Sequence, residues 1–199
     1  MKKVIFVFFI ALLIVSCGQT QEDKATAKIE EYIKNSRSTN FFELIEIKLD
    51  SAFAPNNDPS LYYRVKDYLE VKSGIQNLEL IIKQAKASMS FWDESNKSSF
   101  GKDEYLESQN EYNKANSELN EGREKEQLIY GEISRVLSDS QHFYIGTLAT
   151  YLFRYTDAKG DTIVAKEVCF MDSGYYDIKY VSKFEEYNQI QAVIKQVQE

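Results

Sequence analysis

Between Tyr68 and Trp92 the apolar residues Tyr68, Val71, Ile75, Leu78, Ile82, Ala85, Met89 and Trp92 follow one another in alternating steps of three and four. That period keeps one stripe of a helix turned toward a single partner, so the spacing predicts a helix carrying a seam for a second helix. Asp58-Pro59 marks its start: Asp58 can accept from the first free amides, and Pro59 brings a preset φ to the first helical position. A Ser-rich polar break over 93–102 ends it. Residues 103–137 return to helical spacing, with Tyr105, Tyr112, Ala115, Leu119, Ile129, Ile133 and Val136 on a related stripe. Two such neighbours predict a long antiparallel hairpin over 60–138. Each arm, at 1.5 Å per residue, would extend roughly 50 Å. Gly74 inside the seam predicts a bend or a close contact there.

The rest of the chain has a different period. Phe143 to Tyr155, Thr162 to Met171 and Tyr175 to Val181 are β-branched and aromatic runs, separated by 157–161 and 172–174, each with a Gly where a hairpin needs positive φ. They predict a three-stranded meander. Phe41 to Phe53 places Ile45, Ile47 and Leu49 on one face and Glu46, Lys48 and Asp50 on the other, a half-buried strand expected at an edge of the same sheet. Ala25 to Asn35, with Ala25, Ile29, Tyr32 and Ile33 at helical spacing, predicts a first helix. Ser182-Lys183-Phe184-Glu185 reads as a capping box that opens a last one, with Phe184, Tyr187, Ile190, Val193, Ile194 and Val197 inward. The expected fold class is α+β: an antiparallel sheet of three or four strands, helices on one face, flanking N- and C-terminal helices and the inserted helical hairpin.

The first residues carry an address. Lys2 and Lys3 precede an apolar run from Val4 to Val15, the length of a signal-peptide core and too short to span a bilayer. It ends in Ile14-Val15-Ser16-Cys17-Gly18, which resembles the lipobox of bacterial lipoproteins, with Ile14 where leucine is commoner. The resemblance implies diacylglyceryl transfer to the Cys17 sulfur, cleavage before Cys17 and further acylation, for instance by palmitate. Cys17 is thus the expected lipid-attachment residue. The expected organisation is 1–16 signal peptide, 17–24 lipidated cysteine and tether, and 25–199 one α+β domain. Two or three acyl chains hold a protein far more firmly than one, at about 0.8 kcal/mol per buried CH₂. The whole chain is similar in kind to short envelope lipoproteins of the Bacteroidota type. Asn40-Phe41-Phe42-Glu43-Leu44-Ile45 and Phe153 to Gly160 are loosely similar to segments of such proteins and transfer no residue role.

Charge and composition narrow the chemistry. The chain has 24 Lys+Arg against 31 Asp+Glu, a formal net charge of −7, and loses Lys2 and Lys3 with the signal. Without a basic stripe, nucleic acid is not an expected partner. With Cys17 acylated, Cys169 has no disulfide partner and reads as a small buried hydrophobe. His142 is the single histidine, expected to make a structural or solvated contact; a triad would depend on it alone, a zinc site lacks ligands, and an enzyme of unusual design would need a deep pocket with His142 beside two carboxylates. The turn 157–161 has too few carboxylates for calcium, and the glycines fit no phosphate-loop frame. Glu43, Glu46 and Glu167, the strand acids placed to line a cleft, read as solvated residues. No catalytic residue, metal or cofactor is expected.

The remaining features concern binding. Residues 93–126 hold ten acids against five bases, a solvated face that could also meet a basic partner. Tyr144, Tyr151, Phe153, Tyr155, Tyr175, Tyr176 and Tyr180 could present a stacking platform if one sheet face stayed open. The expected function is that of a lipid-anchored envelope protein, on a membrane facing periplasm or cell surface, that binds or scaffolds an envelope protein partner through the hairpin. The alternative is a small-ligand or glycan-binding lipoprotein using the sheet tyrosines.

Overall fold

The structure, a computed structural model, describes residues 20–39, 41–95, 98–139 and 141–199. Cys17 and the rest of 1–19, with every expectation placed on them, lie outside the described residues. The elements run α1 (Gln21–Arg37), β1 (Phe42–Ala54), α2 (Pro59–Ser95), α3 (Ser99–Asp139), β2 (Phe143–Thr156), β3 (Thr162–Asp172), β4 (Ile178–Lys183) and α4 (Phe184–Gln198). The fold is α+β with one four-stranded antiparallel sheet in the order β1-β2-β3-β4, so β1 does sit at an edge. The chain divides into two compact units. One holds the described residues up to Ala52 with Tyr144–Tyr187; the other holds Phe53–Phe143 with Asn188–Glu199.

In the first unit α1 packs on the sheet. Ala25, Ile29 and Ile33 are one helical stripe, and they are fully buried with Ala149, Tyr151 and Phe153 of β2 and Cys169 and Met171 of β3, residues that alternate along their strands. Phe42, Leu44, Ile47 and Leu49 of β1 close this core at its rim. Burial along β1 changes phase between Leu44 and Ile47, so Ile45, expected inside, is half exposed. The opposite sheet face is buried as well, at Leu148, Val168, Phe170 and Tyr180. β3 is buried on both sides from Glu167 to Met171.

α1 starts earlier than its apolar stripe suggests. Thr20 is the N-cap: its hydroxyl accepts from the Asp23 amide at 3.1 Å while the Asp23 carboxylate accepts from the Thr20 amide at 2.9 Å. Residues 21–24, expected as tether, are the first turn of this helix. The capping box expected at Ser182 does not form, since α4 begins at Phe184 and the Ser182 hydroxyl donates to the Lys183 carbonyl. At the β2–β3 turn Gly160 takes a φ of 88° as expected. At the β3–β4 turn the positive φ falls on Tyr175, at 61°. There a Cβ on Gly174 would lie 2.3 Å from the exposed Tyr176 ring, which would have to move aside.

In the second unit α2 and α3 form the hairpin. Asp58 accepts from the Ser60 amide at 2.7 Å through its side chain and from the Tyr62 amide through its carbonyl, the cap its position predicts. The helices run antiparallel along the seam: Tyr68 lies against Tyr130, Lys86 over Tyr112, and Ser88 and Ser108 share a 2.7 Å hydrogen bond. Tyr68, Ile75, Ala85, Ala115, Leu119 and Ile133 are buried. The close approach is at Gly122, where an added Cβ would come 3.2 Å from Ile75, and not at Gly74, which faces open space. At 1.5 Å per residue α2 and α3 are about 55 and 60 Å long. In the same unit Ile190 and Ile194 of α4 are buried, and Gln198 donates to Asn56 at 3.0 Å. Val193 and Val197 of α4 are half-buried. No described helix is long and apolar enough to cross a membrane.

Candidate functional site

The most developed polar arrangement in the first unit is centred on Glu167, which is only 4% exposed. Its place in the middle of β3 puts it opposite Tyr151 of β2, whose hydroxyl donates to Oε2 at 3.1 Å. From α1 the guanidinium of Arg37 donates to Oε1. That guanidinium also lies over two rings of β2, 5.3 Å from the centre of Phe153 and 4.6 Å from that of Tyr155. A buried carboxylate needs such partners, since its desolvation costs several kcal/mol unless charge and hydrogen bonds offset it. Glu167, read from sequence as solvated, is the residue where that expectation failed. Its burial depends on Arg37, 130 positions away, which sequence spacing does not connect to it.

Proton affinities follow from this packing. Burial pushes the Tyr151 hydroxyl far above its ordinary value, and the Cys169 and Glu167 charges add to the effect. Burial likewise raises the Cys169 thiol from 9.0 to about 12, with Glu167 contributing. Burial of Arg37 opposes its charge, but Glu167 and Tyr155 outweigh that, and it is held cationic more firmly than in water. The arrangement thus fixes a neutral tyrosine, a neutral thiol and a cation. That is a brace between helix and sheet, without an activated nucleophile.

Other residues singled out from sequence lie apart. His142 is exposed. Glu43 pairs with Arg154 on the surface, and Glu46 is exposed. Cys169 is free and buried, the small hydrophobe expected. Among the described residues no group of His, Cys, Asp and Glu is arranged to hold a metal ion. The tyrosines do not form a platform: Tyr151 and Tyr180 are buried, Tyr155 and Tyr175 are half-buried, and only Tyr144 and Tyr176 of that set are exposed. The acids of α3 from Glu107 to Glu124 are exposed, a solvated face.

In the second unit uncovered apolar surface gathers at the end of the hairpin. Phe91 and Phe100 are 68% and 61% exposed. Both meet the half-buried Trp92 edge-on, at 4.9 and 5.6 Å between ring centres. Leu80, Leu106 and Leu128 are also exposed, but at outer positions of the repeat, where they form no second seam. Sequence placed Trp92 in the seam beside Phe91 and gave no sign that Phe100 would join them, because Phe100 lies on the other helix and approaches only when the hairpin closes. A contiguous, exposed aromatic group is the surface type enriched at protein contacts.

Comparison of the chain with protein-family models, with curated proteins and with solved structures gave no match.

Proposed function

We propose that this chain is a lipid-anchored cell-envelope protein that acts by binding or scaffolding, with the helical hairpin as its contact arm and an envelope protein as its partner. The observation that carries the reading is the exposed Phe91–Trp92–Phe100 group. Aromatic anchors bury large area at low entropic cost, and a few of them dominate the energy of an interface. The resemblance of Ile14-Val15-Ser16-Cys17 to a lipobox supports the anchoring. The first unit is the base: its charged brace holds α1, the helix nearest to Cys17 in sequence, onto the sheet.

Two measurements test this. Cys17→Ala is expected to move the protein out of the membrane fraction and to remove the mass of the acyl groups; unchanged mass and fractionation would sink the anchoring. Cross-linking of intact cells followed by mass spectrometry is expected to join one reproducible envelope protein to residues 60–138. Cross-links confined to 142–187 would refute the hairpin as the arm.

A further inference from the structure

Among the described residues no large apolar side chain is more exposed than that of Tyr176, at 83%. It stands in the β3–β4 turn, whose main chain is held in place: the Tyr176 amide donates to the Asp172 carboxylate at 2.8 Å and the Tyr175 amide to the Asp172 carbonyl at 3.1 Å. A cavity of about 340 Å³ separates this turn from the start of α1, with Lys24 and Lys28 on one wall and Tyr175 and Tyr176 on the other. Gly146 of β2 is paired with Asp172, which puts Tyr144, 48% exposed, at the same end of the sheet. One end of the first unit thus gathers the N-terminus of α1, the β3–β4 turn and two exposed tyrosines.

The length of chain back to Cys17 decides what this end meets. Cys17 stands three residues before Thr20, the N-cap of α1, and three residues span at most about 11 Å. The 11 residues of β3 carry the opposite turn, 157–161, about 35 Å away. An acylated Cys17 would therefore bring the α1 end to the bilayer and leave the other end beyond its reach. We infer that the β3–β4 turn and the first turn of α1 rest on a lipid surface, with Tyr176 in the headgroup layer. This rests on the acylation of Cys17 proposed above and says where the unit meets the membrane. Tyrosine suits that layer, because its ring finds apolar surroundings while its hydroxyl stays wet. Charge selects the lipid. At this end Glu22, Asp23, Glu31, Asp172 and Asp177 outnumber Lys24, Lys28 and Lys179, so anionic headgroups add no attraction and a neutral, zwitterionic surface is the fit. The contact is separate from that of the hairpin.

The test uses the mature, lipidated chain in phosphatidylcholine vesicles that carry a trace of lipid with a photoreactive diazirine in its headgroup region. Lipid adducts, located by mass spectrometry, are expected on 174–177 and 20–28 and not on 157–164. Tyr176→Ser, an exposed change that leaves the fold intact by circular dichroism, should lower the adducts on 174–177 several-fold while the protein still floats with the vesicles. Exchanging part of the phosphatidylcholine for phosphatidylglycerol should not raise them; a rise would overturn the choice of a neutral lipid. Adducts on 157–164, none on 174–177 from protein that floats, or an unchanged yield from Tyr176→Ser would overturn the inference and leave the anchoring intact. A mature chain without acyl mass would overturn both together. Without vesicles, hydroxyl radicals should oxidise Tyr176 readily in the mature chain carrying Cys17→Ala. Protection there would mean that a second copy covers the turn, which also overturns the inference.

Discussion

The sheet unit and the hairpin are held together in different ways. Around the sheet, a core of fully buried side chains joins residues far apart in the chain, and one charged pair is buried with them. Along the hairpin, buried residues come about one per two turns, two of them alanine (Ala85 and Ala115), and the cross-helix ion pairs are open to water. Glu79 and Arg123 are about half exposed. Surface pairs contribute little, whereas removing one member of a buried pair strands a charge. The difference assigns rigidity to the sheet unit and leaves the hairpin with the lower resistance to local opening.

The comparison can be broken or sharpened by substitution. Phe153 is fully buried and touches Phe42, Tyr151 and Tyr155, so Phe153→Ala is expected to cost about 4 kcal/mol by denaturant unfolding. A loss below 1 kcal/mol would show that the sheet core is not what holds this unit. Arg37→Ala leaves Glu167 buried without its cation and should cost about 3 kcal/mol. Glu167→Gln strands only the partly exposed Arg37, so it should cost less; the reverse order would contradict the brace. In the hairpin, Ile75→Ala is expected to cost about 2 kcal/mol, near the low end for such truncations because a two-helix seam can collapse around the gap. Hydrogen exchange should quicken around 75 and 122 while amides 147–155 stay protected. Equal quickening in both regions would mean that they open as one.

Alkaline pH separates the units further. Cys169 has its pKa raised in the folded state, so the stability it contributes is whole below its ordinary 9.0 and is lost as pH rises toward about 12. At pH 10 that loss is about 1 kcal/mol, and the buried Tyr151 adds to it at higher pH. Cys169→Ala should flatten the pH dependence of unfolding between 9 and 12, and an unaltered slope there would show that the thiol is not the group responsible. The smallest effect belongs to Arg123→Ala, at most about 0.5 kcal/mol; a cost of 2 kcal/mol would make the surface pairs a true part of the hairpin's stability.

How much was legible follows the same division. The hairpin carries its register in its own sequence, and steps of three and four located both helices within a few residues of Pro59–Ser95 and Ser99–Asp139. The four strands were legible from β-branched and aromatic runs, and the edge place of β1 from chain order. What failed depends on which surfaces meet. Gly122 and Gly74 look alike in sequence, and only helix pairing decides that Gly122 lies against Ile75. Glu167 neighbours Lys166 in an alternating strand, a pattern that normally faces water. Its burial required the cross-strand register with Tyr151 and the docking of α1. The exposure of Tyr32 was hidden for the same reason, since it fits a helical stripe equally well inside or out.

The central claim is that the hairpin end makes the contact with the envelope partner while the sheet surface at Val164 does not. A photoreactive benzophenone side chain placed at position 91, and separately at the exposed Val164 of β3, tests it in intact cells. The account predicts one discrete adduct from position 91, lost when Phe100→Asp is added, and none from position 164. An adduct from 164 alone, or one from 91 that survives Phe100→Asp, would contradict it.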